Sequence, residues 1–279
     1  MKKYLTILLA AVLLPALVHA KDDKTREGVA IMSYNIRIGS SNDGTNSWQY
    51  RYPATALMLD DQKPDIVGLQ EALYSQVNYL TNTFDKTFKS VGVGSEDGKK
   101  KGEFEAILYD KNTTSVTKSG TFWLSETPDV PSKGWDSENY LSATWAIFKD
   151  KASGSRYVVV NTRIEEEKPE ARKNGVQLIA DKLAEINPEG LPVIVLGDFA
   201  MEPSESGLAP IKAALVDARS SAAVSDDTHT FHGWGKVKKT QDYIWFKGGS
   251  CIKFETITKA YYERTFISDH YPILATFVF

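Results

Sequence analysis

Leu191-Pro192-Val193-Ile194-Val195-Leu196 is apolar at every position and ends in Gly197-Asp198. It lacks the alternation that marks a strand wet on one side, so it predicts a strand buried on both faces, with other elements packed above and below it. The rest of the chain supplies those elements. In Val29 to Ile38, Ala30, Met32, Tyr34, Ile36 and Ile38 alternate with Ser33, Asn35 and Arg37, which predicts a strand with Asn35 and Arg37 leaving its polar face. Trp48 to Asp61 has helical spacing and is stopped by Lys63-Pro64. A strand over Asp65 to Leu69 runs into Gln70-Glu71, and Ala72 to Leu80 reads as a helix.

Short β-type runs follow at Phe88–Val93, Phe104–Tyr109, Val116–Leu124, Leu141–Phe148 and Tyr157–Val160. Pro169 can open a helix on whose one face Val176, Ile179, Leu183 and Ile186 fall, and Tyr243–Phe246 and Ile273–Phe279 are two further strands. An α/β protein of sheets covered by helices is the simplest packing of this order. With 42% hydrophobic and 25% charged residues the 279-residue chain can form a core, which excludes the disordered and coiled-coil classes.

Lys2 and Lys3 precede an apolar run from Leu5 to Val18, and Val18-His19-Ala20 fits a small-x-small cleavage site. Residues 1–20 are therefore expected to be a signal peptide, and 21–279 one domain exported to the periplasm or outside a bacterial cell. No later stretch is long and apolar enough for a membrane helix. The 33 basic residues do not outnumber the 36 acidic ones, so long nucleic acid is not favoured as a partner. Lys99, Lys100, Lys101, Lys236, Lys238 and Lys239 could form only local basic rims. Cys251 has no partner for an intramolecular disulfide and reads as a core residue.

Chemistry is expected where polar clusters end apolar strands: Asn35, Glu71, Asp198-Phe199 and Ser268-Asp269-His270. Carboxylates with an Asn amide are hard oxygen ligands suited to Mg²⁺ or Ca²⁺. His229 and His232 stand at a zinc-like spacing, but too few supporting ligands exist, and they read as loop histidines. No Gly-x-Ser-x-Gly elbow or phosphate-binding glycine loop is present.

The ordered motifs Ser33-Tyr34-Asn35-Ile36-Arg37, Leu69-Gln70-Glu71, Gly197-Asp198-Phe199, Gln241-Asp242-Tyr243-Ile244 and Ser268-Asp269-His270-Tyr271-Pro272 resemble the endonuclease/exonuclease/phosphatase superfamily, which has the DNase I-like fold. Phe122-Trp123-Leu124-Ser125-Glu126-Thr127-Pro128, running on to Gly134-Trp135-Asp136, is similar to a secreted bacterial subgroup. The resemblance implies a four-layer αββα sandwich and a divalent-metal-dependent phosphoesterase using one or two Mg²⁺, Mn²⁺ or Ca²⁺ ions; a monomer is expected. It implies Glu71 as metal ligand with Asn35 and Asp269 near the metal or the phosphate. Asp198 would orient or deprotonate water, Asp242 would pair with His270, and Arg51 and Tyr109 would contact substrate.

Four positions depart from that pattern. Arg163 and Ala200 stand where the family has His and Asn, and Glu166 and Leu141 where the subgroup has His and Arg. Arg163 is a forked phosphate donor that cannot exchange a proton near neutral pH, and it could instead pair with Glu71 and displace the metal. Losing one donor aimed at a transition state typically costs about 10² to 10³ in turnover. The alternative expectation is a catalytically silent relative that binds a phosphorylated, sugar-like or protein ligand, with Trp123, Trp135 and Trp234 as candidate contacts.

Overall fold

The computed structural model describes residues 26–279, so the expected leader over residues 1–20 lies outside the described residues. The chain runs through β1 (Val29–Asn35), α1 (Trp48–Gln62), β2 (Ile66–Gln70), β3 (Ala72–Leu73), α2 (Tyr74–Thr83), β4 (Phe88–Val91), β5 (Glu103–Phe104), β6 (Ile107–Asp110) and β7 (Thr114–Trp123). It continues through β8 (Ser142–Asp150), β9 (Arg156–Arg163), α3 (Pro169–Ile186), β10 (Val193–Asp198), α4 (Ala209–Ala214), β11 (Val216–Asp217), α5 (Ala218–Ser221), β12 (Asp242–Lys247), β13 (Ser250–Thr256) and β14 (Ile273–Val278). Two six-stranded sheets form, in the orders β13-β14-β1-β2-β6-β4 and β11-β12-β10-β9-β8-β7.

Between the sheets, Ile31, Ile66 and Ile107 of the first meet Phe148, Val159, Ile194 and Ile244 of the second. Outside the first sheet, Met32, Tyr34 and Leu69 pack with Ala54 and Met58 of α1 and Leu80 of α2. Outside the second, Val158, Val160 and Val195 pack with Val176 and Ile179 of α3. Helix, sheet, sheet and helix thus make the expected four layers. The unbroken apolar run of β10 follows from this, since Ile194 and Leu196 point into the sandwich while Val193 and Val195 point at α3.

Near one edge the sheets are joined by polar contacts. Asn161 Nδ2 donates to the carbonyls of Leu69 (2.8 Å) and Ala106 (2.9 Å), and Gln70 Nε2 donates to Asn161 Oδ1 (2.6 Å). Gly68 makes this approach possible, since a Cβ there would lie 2.1 Å from Leu196 Cδ1 and 2.8 Å from Asn161 Cγ. The register at that edge sets the site: parallel pairing places Asn35 beside Gln70, and Asp198 lies between Arg163 on β9 and Asp242 on β12.

Several elements differ from expectation. The strand expected to reach Ile38 ends at Asn35, because Arg37 turns into the left-handed region at φ 59°. The second helix starts at Tyr74, since Ala72 and Leu73 pair with Phe104 and Glu103. The run Phe104–Tyr109 splits into β5 and β6 around Glu105-Ala106. The edge strand β13 escapes sequence reading because only Cys251 and Phe254 on it are buried, leaving no clear alternation. Cys251 is buried and free, as expected. Among the described residues no helix is long and apolar enough to cross a membrane.

Candidate active site

Asp198, at the end of β10, joins the two halves of the site. Asn35 Nδ2 donates to Asp198 Oδ2 and to Glu71 Oε1, both at 3.0 Å, so the two carboxylates converge on one amide. The backbone N–H of Ala200 donates to Asp198 Oδ1 at 2.9 Å. His270 Nδ1 donates to Asp242 Oδ2 at 2.9 Å, and its Nε2 stands 3.9 Å from Asp198 Oδ2, too far for a direct hydrogen bond. Burial works against a charged ring, but Asp242 and then Asp198 outweigh it and push His270 up to about 10. Burial raises Asp198 to about 6 against the opposing pull of His270. Asp269 reaches the site from the next turn, where its Oδ1 accepts from Ser268 Oγ at 3.2 Å.

Glu71 sits at φ 59° just past β2, a strained conformation that turns its side chain onto the sheet edge. Its Oε2 accepts from the Ile38 N–H at 3.2 Å. Arg163 Nε lies 3.2 Å from Glu71 Oε1, and Arg37 Nη1 lies 3.9 Å from Oε2. The Arg163 N–H is not aimed at an acceptor, so the contact is one of charge rather than an aligned hydrogen bond. Burial alone would raise Glu71, but Arg163 and the Asn35 amide hold it down at about 2. Arg163 Nη1 also lies 3.7 Å from Glu103 Oε2. Glu105, 2% exposed and with Oε2 unpaired, is pushed well up by burial and by neighbouring Glu103. Sequence reading missed Glu103 and Glu105; their spacing around Phe104, on one side of an extended segment, was the available signal.

Two expected substrate contacts lie elsewhere. Arg51 is 0% exposed and donates to the carbonyls of Asn46 (2.6 Å), Ile36 (2.9 Å), Ile267 (2.8 Å) and Arg37 (3.3 Å). It braces the loops that carry Arg37 and Ser268 from beneath and has no surface to offer a ligand. Tyr109 pairs in register with Ile66, at the opposite end of β2 from Gln70, and packs on Phe148 at 5.7 Å. At about 3.3 Å per residue that puts it roughly 13 Å from the site edge.

The tryptophans are also anchored: Trp123 is buried and donates to the Ser95 carbonyl, Trp135 packs on the outer core, and Trp234 lies over Arg51. His232 lies in a loop as expected but is buried there, stacked on Phe266 at 4.3 Å and pushed down to about 3 by burial. His229 is half-buried, and Glu166 and the lysines at 99–101, 236, 238 and 239 are exposed. Leu141 is buried and lines a cavity of about 370 Å³ beside the site, together with Ile38, Ser40, Glu103, Lys133 and Asn139.

Residues 32–270 match the Endonuclease/Exonuclease/phosphatase family. The chain belongs to that family. A Bacteroides vulgatus endonuclease/exonuclease/phosphatase structure is similar at 34% identity and TM-score 0.84, covering 91% of this chain and 99% of the other. A Bacteroides thetaiotaomicron mannosyl-6-phosphatase is similar at 29% identity and TM-score 0.85, covering 90% of this chain and 100% of the other. At 17% identity and TM-score 0.71, a zebrafish TDP2 structure with a single-strand DNA product shares the fold, covering 91% and 100%. A comparison with the curated proteins finds no match.

Membership of this family raises the question of a divalent cation. Asp198, Asp242 and His270 have ligand atoms within 4.8 Å of one another, a spacing able to hold a metal. The same spacing serves a charged hydrogen-bonded chain, and a doubly protonated imidazole has no lone pair to give. A cation on Glu71 fits these residues poorly. Two guanidinium groups stand within 4 Å of its oxygens, and Asn35 turns N–H groups, not oxygen, toward it.

Proposed function

We propose that this chain is an exported, single-domain phosphoesterase of lowered turnover, acting on a small phosphate ester. The Asp242–His270–Asp198 arrangement carries the reading, because it sets a carboxylate able to activate water beside a charged imidazole able to donate to a phosphoryl oxygen, 3.9 Å apart. Asp198, poised near neutral pH, accepts a proton from the attacking water. The water oxygen forms the new P–O bond as the ester P–O bond breaks, the departing alkoxide takes a proton from solvent water, and His270 Nε2, its ring held by Asp242, donates to a phosphoryl oxygen as negative charge develops there. The cavity of about 370 Å³ is large enough for the alcohol part, and Glu96, Glu103 and Glu138 on its lining disfavour a polyanion. The mannosyl-6-phosphatase likeness makes a polyol phosphate the first class to try.

Ala200 favours a second reading, since it offers no donor where the family has Asn: a silent relative that binds such an ester without cleaving it. Hydrolysis of aryl phosphate mono- and diesters, compared between wild type and His270→Gln, decides. Turnover that falls with the substitution supports the enzyme. Saturable binding with no turnover in either protein supports the silent relative, and neither binding nor turnover ends both.

A further inference from the structure

We infer that Arg163 takes the place of the divalent cation in this chain, so that a phosphate group is held against a guanidinium belonging to the protein. The ligand part rests on the phosphate reading above; the replacement rests on geometry alone. Arg163 ends β9 in register with Asp198, so the strand delivers its side chain to the point where the carboxylates converge. There it stands 3.2 Å from Glu71 Oε1 and 3.7 Å from Glu103 Oε2. Mg²⁺ requires near-octahedral oxygens at about 2.0–2.1 Å and holds on to its water, which needs open space around the ligand carboxylate. Here that space contains a side chain that is never deprotonated.

Two neighbours fit a permanent internal cation better than a removable one. Glu103 sets a second carboxyl group 3.7 Å from Arg163 Nη1. Asn35 uses both of its contacts to Glu71 and Asp198 as a donor, which tethers the two carboxylates without a metal. Arg163 Nε is buried, but the side chain keeps 19% of its surface exposed, so an anion entering the site meets the other N–H groups of the guanidinium.

Calorimetry on the whole chain tests this, with Mn²⁺ alone and with inorganic phosphate in magnesium or chelator buffer. Wild type is expected to bind phosphate equally in both buffers and to bind Mn²⁺ about ten- to a hundredfold more weakly than Arg163→His, the range that single groups beside a metal site command. Saturable Mn²⁺ uptake by wild type with no gain in Arg163→His overturns the inference. Should that variant not fold, the wild-type phosphate titration still decides, because affinity that depends on magnesium is equally fatal. Phosphate binding absent from both buffers removes the ligand assigned to Arg163 and the phosphate reading together, while the Mn²⁺ result still judges the replacement separately.

Discussion

At one end of the site Asp242, His270 and Asp198 form a chain of hydrogen bond and ion pair with a gap at its centre; at the other, Glu71 is ringed by Arg163, Arg37 and Asn35. The first end keeps the residue types of the family pattern, and its charges are arranged to move protons. The second end sets two fixed cations against Glu71, and its charges are arranged to cancel. The contrast teaches that one sheet edge can hold two differently charged halves, because they arrive on different strands and are tied together by the Asn35 amide between Glu71 and Asp198.

The largest effect expected of that contrast is on turnover. His270→Gln removes the charged donor and is expected to lower kcat on an aryl phosphate ester by about 10² to 10³; an unchanged kcat would mean that the first end does no chemistry. Arg163→Ala strands buried carboxylates at the second end and is expected to cost about 3–5 kcal/mol in denaturant unfolding. A cost near zero would show that the charges there are not mutually dependent.

Asp242→Asn sharpens the first end. His270 is pushed from 6.5 to about 10, so its charged form stabilises the fold fully below pH 6.5 and that contribution is lost as pH rises through about 10. In Asp242→Asn that contribution is expected to be smaller and its loss to be complete at lower pH, read as melting temperature against pH. The smallest effect concerns Ala200, which stands at φ 51° where the family's Asn would be comfortable. Ala200→Gly is expected to stabilise the chain by up to about 1 kcal/mol without restoring turnover, whereas Ala200→Asn should also raise kcat.

Much of this was legible in the residue order. The all-apolar run ending in Gly197-Asp198 announced a doubly buried strand with a carboxylate at its tip, and the Ser268-Asp269-His270 cluster announced a second polar group at a strand end. Glu103 and Glu105 were hidden because an acidic residue in a short alternating run looks like the wet face of a strand. Arg51 misled for the opposite reason: a charge in the first turns of a helix usually points to solvent, yet here four backbone carbonyls surround it.

The sequence by itself determined the layers, since period-two, unbroken apolar and helical patterns are local consequences of which faces are buried. It also determined the kinds of group at the strand ends. Only the tertiary structure decided which of those groups meet, because register between strands far apart in the chain places Asp198 between Arg163 and Asp242. Whether Arg163 sits on Glu71 or turns away is a question of ångströms across two sheets, and no spacing along one strand encodes it.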